Sequence, residues 1–360
     1  MAQIFSGNGK GNYAYACARV KARKSLLLPK DTYPRLLNMD LPEIGRFIGE
    51  GQYRREVDEL SSRYSKVDLV EHATYLNLAR TYQAIMGFTR GELNTMVRHF
   101  LNRWDIYNFE TVLRARTAGV GWDVVEEDIV PAGAFDIDFF MALFGAADMD
   151  EMAAVLKRAA SSYGFEPALL KLMRERHGTL PGLADLENEL EREYYLRLLG
   201  AIPATTRANK LFLEYLKAEI DTVNLKTLFK LKFEDVAVEK VHQLLIPAGE
   251  ELGPAVLRAL AAAESFEAFL TELSGLRLYD GIREPASRAR PTGSLNEVLL
   301  ALDHHMMARA QRFSHLYPLS VLPVIDYLLR KRTEVDNLRI IARGKQGGLP
   351  DDVIRSLLML

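Results

Sequence analysis

Three stretches of this chain carry an acid, an asparagine three residues later, and a base eight residues beyond that. They are Asp105, Asn108 and Arg116; Asp221, Asn224 and Lys232; and Glu334, Asn337 and Lys345. The asparagines lie 116 and then 113 residues apart, the spacing of a small domain. At 23 residues past the Asn, the first two copies reach Pro131-Ala-Gly133 and Pro247-Ala-Gly249. Repetition on this scale constrains the architecture before any single residue is considered.

The third copy runs out of chain: 23 residues past Asn337 is Leu360, the last residue. Its missing half has a counterpart at the N-terminus, where Leu27-Leu28-Pro29 precedes Ile44, Phe47 and Ile48. Met152, Val155 and Leu156 follow Pro131 with the same spacing, and Phe266, Phe269 and Leu270 follow Pro247. Each set forms one apolar stripe of a helix. The pattern predicts three similar units: residues 61–178, residues 179–293, and residues 294–360 completed by 1–60.

The elements are expected to be helical almost throughout. Tracts 186–199, 207–232 and 295–313 are rich in Leu, Ala, Glu, Lys and Arg with helical periodicity, and strand-like alternation between hairpin turns is absent. Breaks are expected at Gly178–Gly182, at Arg283–Gly293, and more weakly at Ser62–Val67, where glycine, proline or small polar residues gather. The predicted fold class is all-α, built as three helical bundles.

Lys and Arg total 46 against 48 Asp and Glu, so the chain has no overall basic footprint and no nucleic-acid partner is expected. Its local basic runs, Arg19 to Lys24 and Arg330-Lys331-Arg332, read as solvated helix faces. Cys17 is the one cysteine, which rules out an internal disulfide. The longest stretch without a charged side chain, Phe313 to Ile325, has 13 residues, short of the roughly 20 that a spanning helix needs. The N-terminus lacks the apolar segment of a signal peptide. A soluble chain able to touch a membrane complex without entering the bilayer is expected.

On a helix, positions −3, 0 and +8 relative to the Asn fall within about 80° of one another. Each copy thus presents a polar stripe. Asn is a poor interior helix residue, because its amide competes for backbone groups. Recurrence in three copies points to one structural role. The amide satisfies backbone groups of a neighbouring helix end or loop, and acid and base pair with other helices. A catalytic reading needs a His or a tuned carboxylate beside a nucleophile, and none shares a common offset with the stripes.

Other chemical signals are weak. Ser6-Gly-Asn-Gly-Lys-Gly-Asn12 lacks the spacing of a phosphate loop and reads as a flexible tail. In Asp303-His304-His305 the two adjacent imidazoles point about 100° apart on a helix and cannot converge on one metal. Glu126-Glu127-Asp128 lacks the spacing of a calcium loop and reads as a solvated acidic face. No cofactor is expected.

The segment Val324-Ile-Asp-Tyr327 through Glu334-Val-Asp-Asn337-Leu-Arg to Arg343-Gly-Lys345 resembles the C-terminal signature of the C subunit of archaeal-type ATP synthases, a family that includes the d subunit of vacuolar ATPases. Asn12-Tyr13-Ala-Tyr15 through Arg19-Val-Lys21-Ala-Arg23-Lys24 resembles that family's N-terminal helix. The likeness extends over essentially the whole chain. It implies a non-catalytic rotary-ATPase subunit: a funnel of three similar helical domains with pseudo-threefold symmetry on the cytoplasmic face of the membrane proteolipid ring. That socket would hold the central shaft made of the D and F subunits and pass torque between shaft and ring. Lys21, Arg23 and Lys24 are candidate ring contacts. A generic helical-repeat scaffold is the alternative, since long helical repeats serve that purpose equally well.

Overall fold

The computed structural model describes residues 9–148, 151–152, 154–155, 183–236, 241 and 244–360. Among them every regular element is a helix and no strand occurs, so the fold is all-α. In chain order the first helices are α1 (Tyr13–Lys24), α2 (Thr32–Leu37), α3 (Leu41–Gly49), α4 (Arg54–Leu60) and α5 (Lys66–Phe88). Next come α6 (Gly91–Leu101), α7 (Arg103–Ala118), α8 (Trp122–Asp128) and α9 (Ile137–Gly145). The chain continues with α10 (Leu183–Ala201), α11 (Arg207–Phe233), α12 (Pro254–Ala262), α13 (Phe266–Leu273) and α14 (Arg277–Asp280). It finishes with α15 (Arg283–Thr292), α16 (Asn296–Leu316), α17 (Leu322–Gln346) and α18 (Asp351–Leu357).

Two compact units result: Met1–Leu183 with Pro318–Leu360, and Ala184–Tyr317. The first is organised on α5 and α17, which pack along each other. Both bury side chains around much of their circumference, as a helix surrounded by protein must. α1 lies on α17, α3 and α4 cover α5, and α7 carries α8 and α9. Tyr82 Oη donates to the Leu328 carbonyl at 2.7 Å, fixing α5 against α17. The second unit packs α11 against α16 and α13. Phe229, Phe266 and Phe269 meet edge-on or tilted at the centre of its core, with ring centroids 5.1 to 6.2 Å apart. Burying each such ring stabilises the fold by roughly 1.5–3 kcal/mol.

Local signals set the helix ends. Asp40 and Glu43 form a reciprocal capping box at the start of α3, Thr206 caps α11, and Pro323 occupies the first turn of α17. The C-termini of α7, α11 and α17 are equivalent to one another. Gly119, Asp235 and Gly348 stand eleven residues past the repeated Asn, each left-handed with φ of 69°, 53° and 67°. The next amide reaches back five residues in every case: Val120 to Ala115 O, Val236 to Leu231 O, and Leu349 to Gly344 O, at 2.9 to 3.0 Å. This is the Schellman closure, which glycine enters without strain and Asp tolerates better than most residues.

Several sequence expectations are met closely: the three helical tracts appear as α10, α11 and α16. Arg283–Gly293 is different. It forms helix α15 instead of a break, because Pro285 falls in the first turn and Ala286 and Ala289 are buried against the core. Ser62–Val67 holds a turn followed by the start of α5. Gly178–Gly182 and Leu156 lie outside the described residues. The tail is docked from Gly9 onward: Glu92 N donates to the Gly9 carbonyl, and Asn12 pairs with Phe88 O and Arg90 N, both at 2.8 Å. Ser6 to Asn8 lie outside the described residues.

Candidate functional site

Among the described residues the repeated stripes form three extended polar constructions. Each lies on a long helix, α7, α11 or α17, and each engages a segment of backbone that follows or faces that helix. The asparagines make the same paired contact. Asn108 donates to Val130 O and accepts from Val130 N, both at 2.8 Å. Asn224 does so with Ile246 at 2.9 and 2.8 Å, and Asn337 with Met359 at 2.9 Å both ways. The bonded residue in every copy is 22 residues on, immediately before Pro131, Pro247 or Leu360. All three asparagines are buried. A side-chain amide thus substitutes for one rung of backbone pairing.

The acids take the loop that follows. Asp105 accepts from Ala134 N and Phe135 N, and Asp221 accepts from Glu250 N, Glu251 N and Leu252 N, at 2.8 to 3.1 Å. Gly133 and Gly249 pass directly beneath these carboxylates, and a Cβ at either would overlap the acid oxygens. The proline and glycine of the repeated Pro-Ala-Gly therefore fit two different needs. Pro131 and Pro247 follow the Asn-bound residue, while the glycine lets the backbone approach the acid. Burial pushes the Asp105 carboxyl up to about 7, against the pull of the Ala134 and Phe135 amides. Asp221 is raised for the same reason and opposed by its three amides.

The bases take the far end of the short helix beyond that loop. Arg116 Nη1 donates to Phe144 O at 2.7 Å and Ala146 O at 2.6 Å, the C-terminus of α9. Lys232 Nζ donates to Ala261 O at 2.5 Å and Ala263 O at 2.7 Å, the C-terminus of α12. Cations at these positions satisfy last-turn carbonyls and complement the helix dipole. Burial lowers the Lys232 ammonium, with Asp235 opposing. The expected pairing of acid and base with other helices thus takes a definite form: both bind backbone at the two ends of one short element.

In the third copy Asn337 holds Met359, while the acid and the base clamp backbone from the opposite end of the chain. Glu334 accepts from Leu28 N at 2.5 Å, and Lys345 Nζ donates to Leu37 O at 2.5 Å, the C-terminus of α2. The longer Glu also accepts from Tyr53 Oη at 2.6 Å and Gln52 Nε2 at 2.7 Å. Lys331 Nζ completes this cluster, 3.0 Å from Glu334 and 2.9 Å from Tyr53 Oη, with its side chain wholly buried. Desolvation lowers Lys331 while Glu334 pulls it back up, and burial beside Glu334 drives the Tyr53 phenol upward. Sequence reasoning missed Tyr53 and Lys331; Lys331, three residues before Glu334 on one helix face, was the available signal.

Arg330-Lys331-Arg332 is structural where a solvated face was expected, whereas the N-terminal run is divided, with Arg19 exposed and Arg23 and Lys24 engaged. Arg330 pairs with the buried Asp326 at 2.9 Å, Lys331 is buried, and Arg332 pairs with Asp336 while lying 4.4 Å from the Trp104 ring centre. Lys24 reaches the same Asp326 at 2.5 Å, and Arg23 hydrogen-bonds Tyr327. Lys21 is exposed. Within the acidic cluster, Glu127 accepts from Tyr64 Oη at 3.0 Å and faces His72 at 3.4 Å, so that face is partly engaged. Asp303 pairs with Lys226 at 2.5 Å. No helix among the described residues is long and apolar enough to cross a membrane.

Comparison with known proteins covers nearly the whole chain. Residues 16–357 match the family described as ATP synthase (C/AC39) subunit. The chain is 39% identical to the C subunit of the A-type ATP synthase of Methanosarcina acetivorans, over 98% of this chain and 94% of that protein. It is 34% identical to the C subunit of the A-type ATP synthase of Archaeoglobus fulgidus, over 99% and 98%. The Haloferax volcanii protein of the same description is 32% identical over 99% of each. Matched along nearly its whole length by the family model and by these relatives, the chain belongs to the ATP synthase (C/AC39) subunit family.

Proposed function

We propose that this chain is the socket that joins the central rotor shaft, made of the D and F subunits, to the membrane proteolipid ring of a rotary ATP synthase, and that it passes torque between them. Membership of the family makes it a non-catalytic, peripheral subunit of that machine. The docking of shaft and ring, the cytoplasmic side, and a funnel of three pseudo-equivalent units with the boundaries given above belong to the proposal.

The observation that supports it, beside the family, is the repeated clamp. A coupler must not yield under load. Here each long helix grips a short element at two ends and along the joining loop, with charge-assisted bonds that are directional and mostly buried. In the third copy the clamp joins the N-terminal segment to the C-terminal helix, so the chain ends cannot peel apart independently. Lys21 remains as the exposed member of the basic triplet proposed for the ring, whereas Lys24 and Arg23 face inward. Affinity capture of the tagged protein from gently solubilised membranes tests the proposal. Proteolipid and both shaft subunits are expected together; recovery of the chain alone would favour the scaffold alternative.

A further inference from the structure

A cavity of about 570 Å³ lies against the loop that the first clamp holds. Its walls come from α4, α5, α6 and the loop itself, all within the first compact unit. Leu76, Met86 and Phe135 give it an apolar side, and Arg55, Arg80 and Arg98 give it cations. Arg80 already meets acids, Glu56 Oε1 at 3.0 Å and Glu59 Oε2 at 2.7 Å. Arg98 directs its Nε at a neutral acceptor, Asn94 Oδ1, at 2.8 Å. Arg55 is exposed and has no ion-pair partner among the described residues. The acid in the lining, Asp136, caps α9 by accepting from Phe139 N at 3.0 Å.

The second copy shows what such a loop can carry. At 26 and 27 residues past the Asn it has Glu250 and Glu251, where the first copy has Ala134 and Phe135. In both copies the amides of these two residues bind the clamp acid, Asp105 or Asp221. Glu250 pairs with Arg309, and Glu251 with Arg277 at 2.7 Å. The second loop thus brings its own carboxylates to its own arginines. The first loop faces arginines and brings none. Arginine matches carboxylate and phosphate alike, through paired N–H donors. A cavity of this size, apolar on one side and with a few polar groups, has the make-up of a small-molecule site. We infer that it binds a small organic anion, a carboxylate or phosphate head on a short apolar body. The head lies on Arg55 and Arg98, and the body lies against Leu76, Met86 and Phe135. The site does not depend on the socket reading.

The test is titration calorimetry of the full-length chain with phenyl phosphate, phenylsuccinate and inorganic phosphate. At least one phenyl compound is expected to bind with a Kd of about 0.1–1 mM, and inorganic phosphate about tenfold more weakly. The tighter of the two phenyl compounds identifies the head. Arg55→Ala and Arg98→Ala should each weaken binding by about threefold to tenfold. Ala134→Glu places on the first loop the carboxylate that Glu250 supplies on the second, and should abolish binding. Arg54→Ala, which removes an exposed cation paired with Asp58 outside the cavity, should stay within about twofold of the parent. Far-UV circular dichroism establishes that each variant is folded. No saturation by either phenyl compound up to about 10 mM overturns the inference. So does binding that survives the double variant Arg55→Ala with Arg98→Ala, or inorganic phosphate binding as tightly as the phenyl compounds.

Discussion

Replacing the repeated asparagines one at a time separates buried from half-buried clamps. Asn108→Leu keeps the side-chain volume and removes both bonds to Val130, whose backbone lies in a fully buried residue. Asn224→Leu does the same to Ile246, which is 2% exposed. Each leaves one buried N–H and one buried C=O without a partner, at about 1–3 kcal/mol apiece, so the expected cost is about 2–5 kcal/mol after partial relaxation. Met359 is half-buried, and water can reach its backbone once Asn337 is gone. Asn337→Leu should therefore cost less, about 1–2 kcal/mol, with part of that from the lost bond to Tyr33. Urea denaturation followed by far-UV circular dichroism provides the measurement. The two compact units need not unfold together, so their transitions should be fitted separately. Equal midpoints for all three variants and the parent, or a third variant more damaged than the first two, would refute the clamp energetics.

Other expectations follow from the same geometry. Gly133→Ala and Gly249→Ala should each destabilise by about 1–3 kcal/mol, because the new methyl displaces the acid from its amides. Gly87→Ala, in open space within α5, should be neutral or stabilising by up to about 1 kcal/mol, and thermal melts of the three variants make the comparison. The Asp105 carboxyl titrates near 7 when folded and near 3.8 when unfolded, so the folded state holds an extra proton between those values. Stability should therefore fall as pH rises through that window, by up to about 4 kcal/mol, and Asp105→Asn should flatten the dependence in urea titrations at pH 4 to 7. Raised salt should release the chain from the solubilised ring before it alters the circular dichroism of the free chain, since charges at the docking face are screened over about 8 Å at physiological ionic strength. Release that tracks unfolding would contradict that view.

The repeat made the clamp legible because three separate helices carried the same polar residues at the same offsets. The destination of the asparagines was readable only in kind, since nothing in Asn108 alone points to Val130. Arg116 and Lys232 were expected to pair with other helices without a stated target; they bind helix-end carbonyls, which have no side-chain signature. The partners of Glu334 and Lys345 lay some three hundred residues away, beyond any local pattern. Arg330-Lys331-Arg332 misled because a charge run looks alike whether water or Asp326, Glu334 and Asp336 receives it. Helix α15 was hidden by its two prolines: Pro285 sits in the first turn, where a helix tolerates it, and Pro291 removes one hydrogen bond just before the helix ends at Thr292. The left-handed caps at Gly119, Asp235 and Gly348 drew no expectation from the sequence, because Asp in the second copy breaks the glycine pattern.

Whether this chain bridges shaft and ring is decided by sedimentation. Purified proteolipid ring is mixed in detergent with purified D and F shaft subunits and spun down with and without this protein. The shaft is expected to travel with the ring only when the chain is present, at about one chain per shaft. Co-sedimentation of shaft and ring to the same extent without it, or a chain that binds one and excludes the other, would contradict the bridging role.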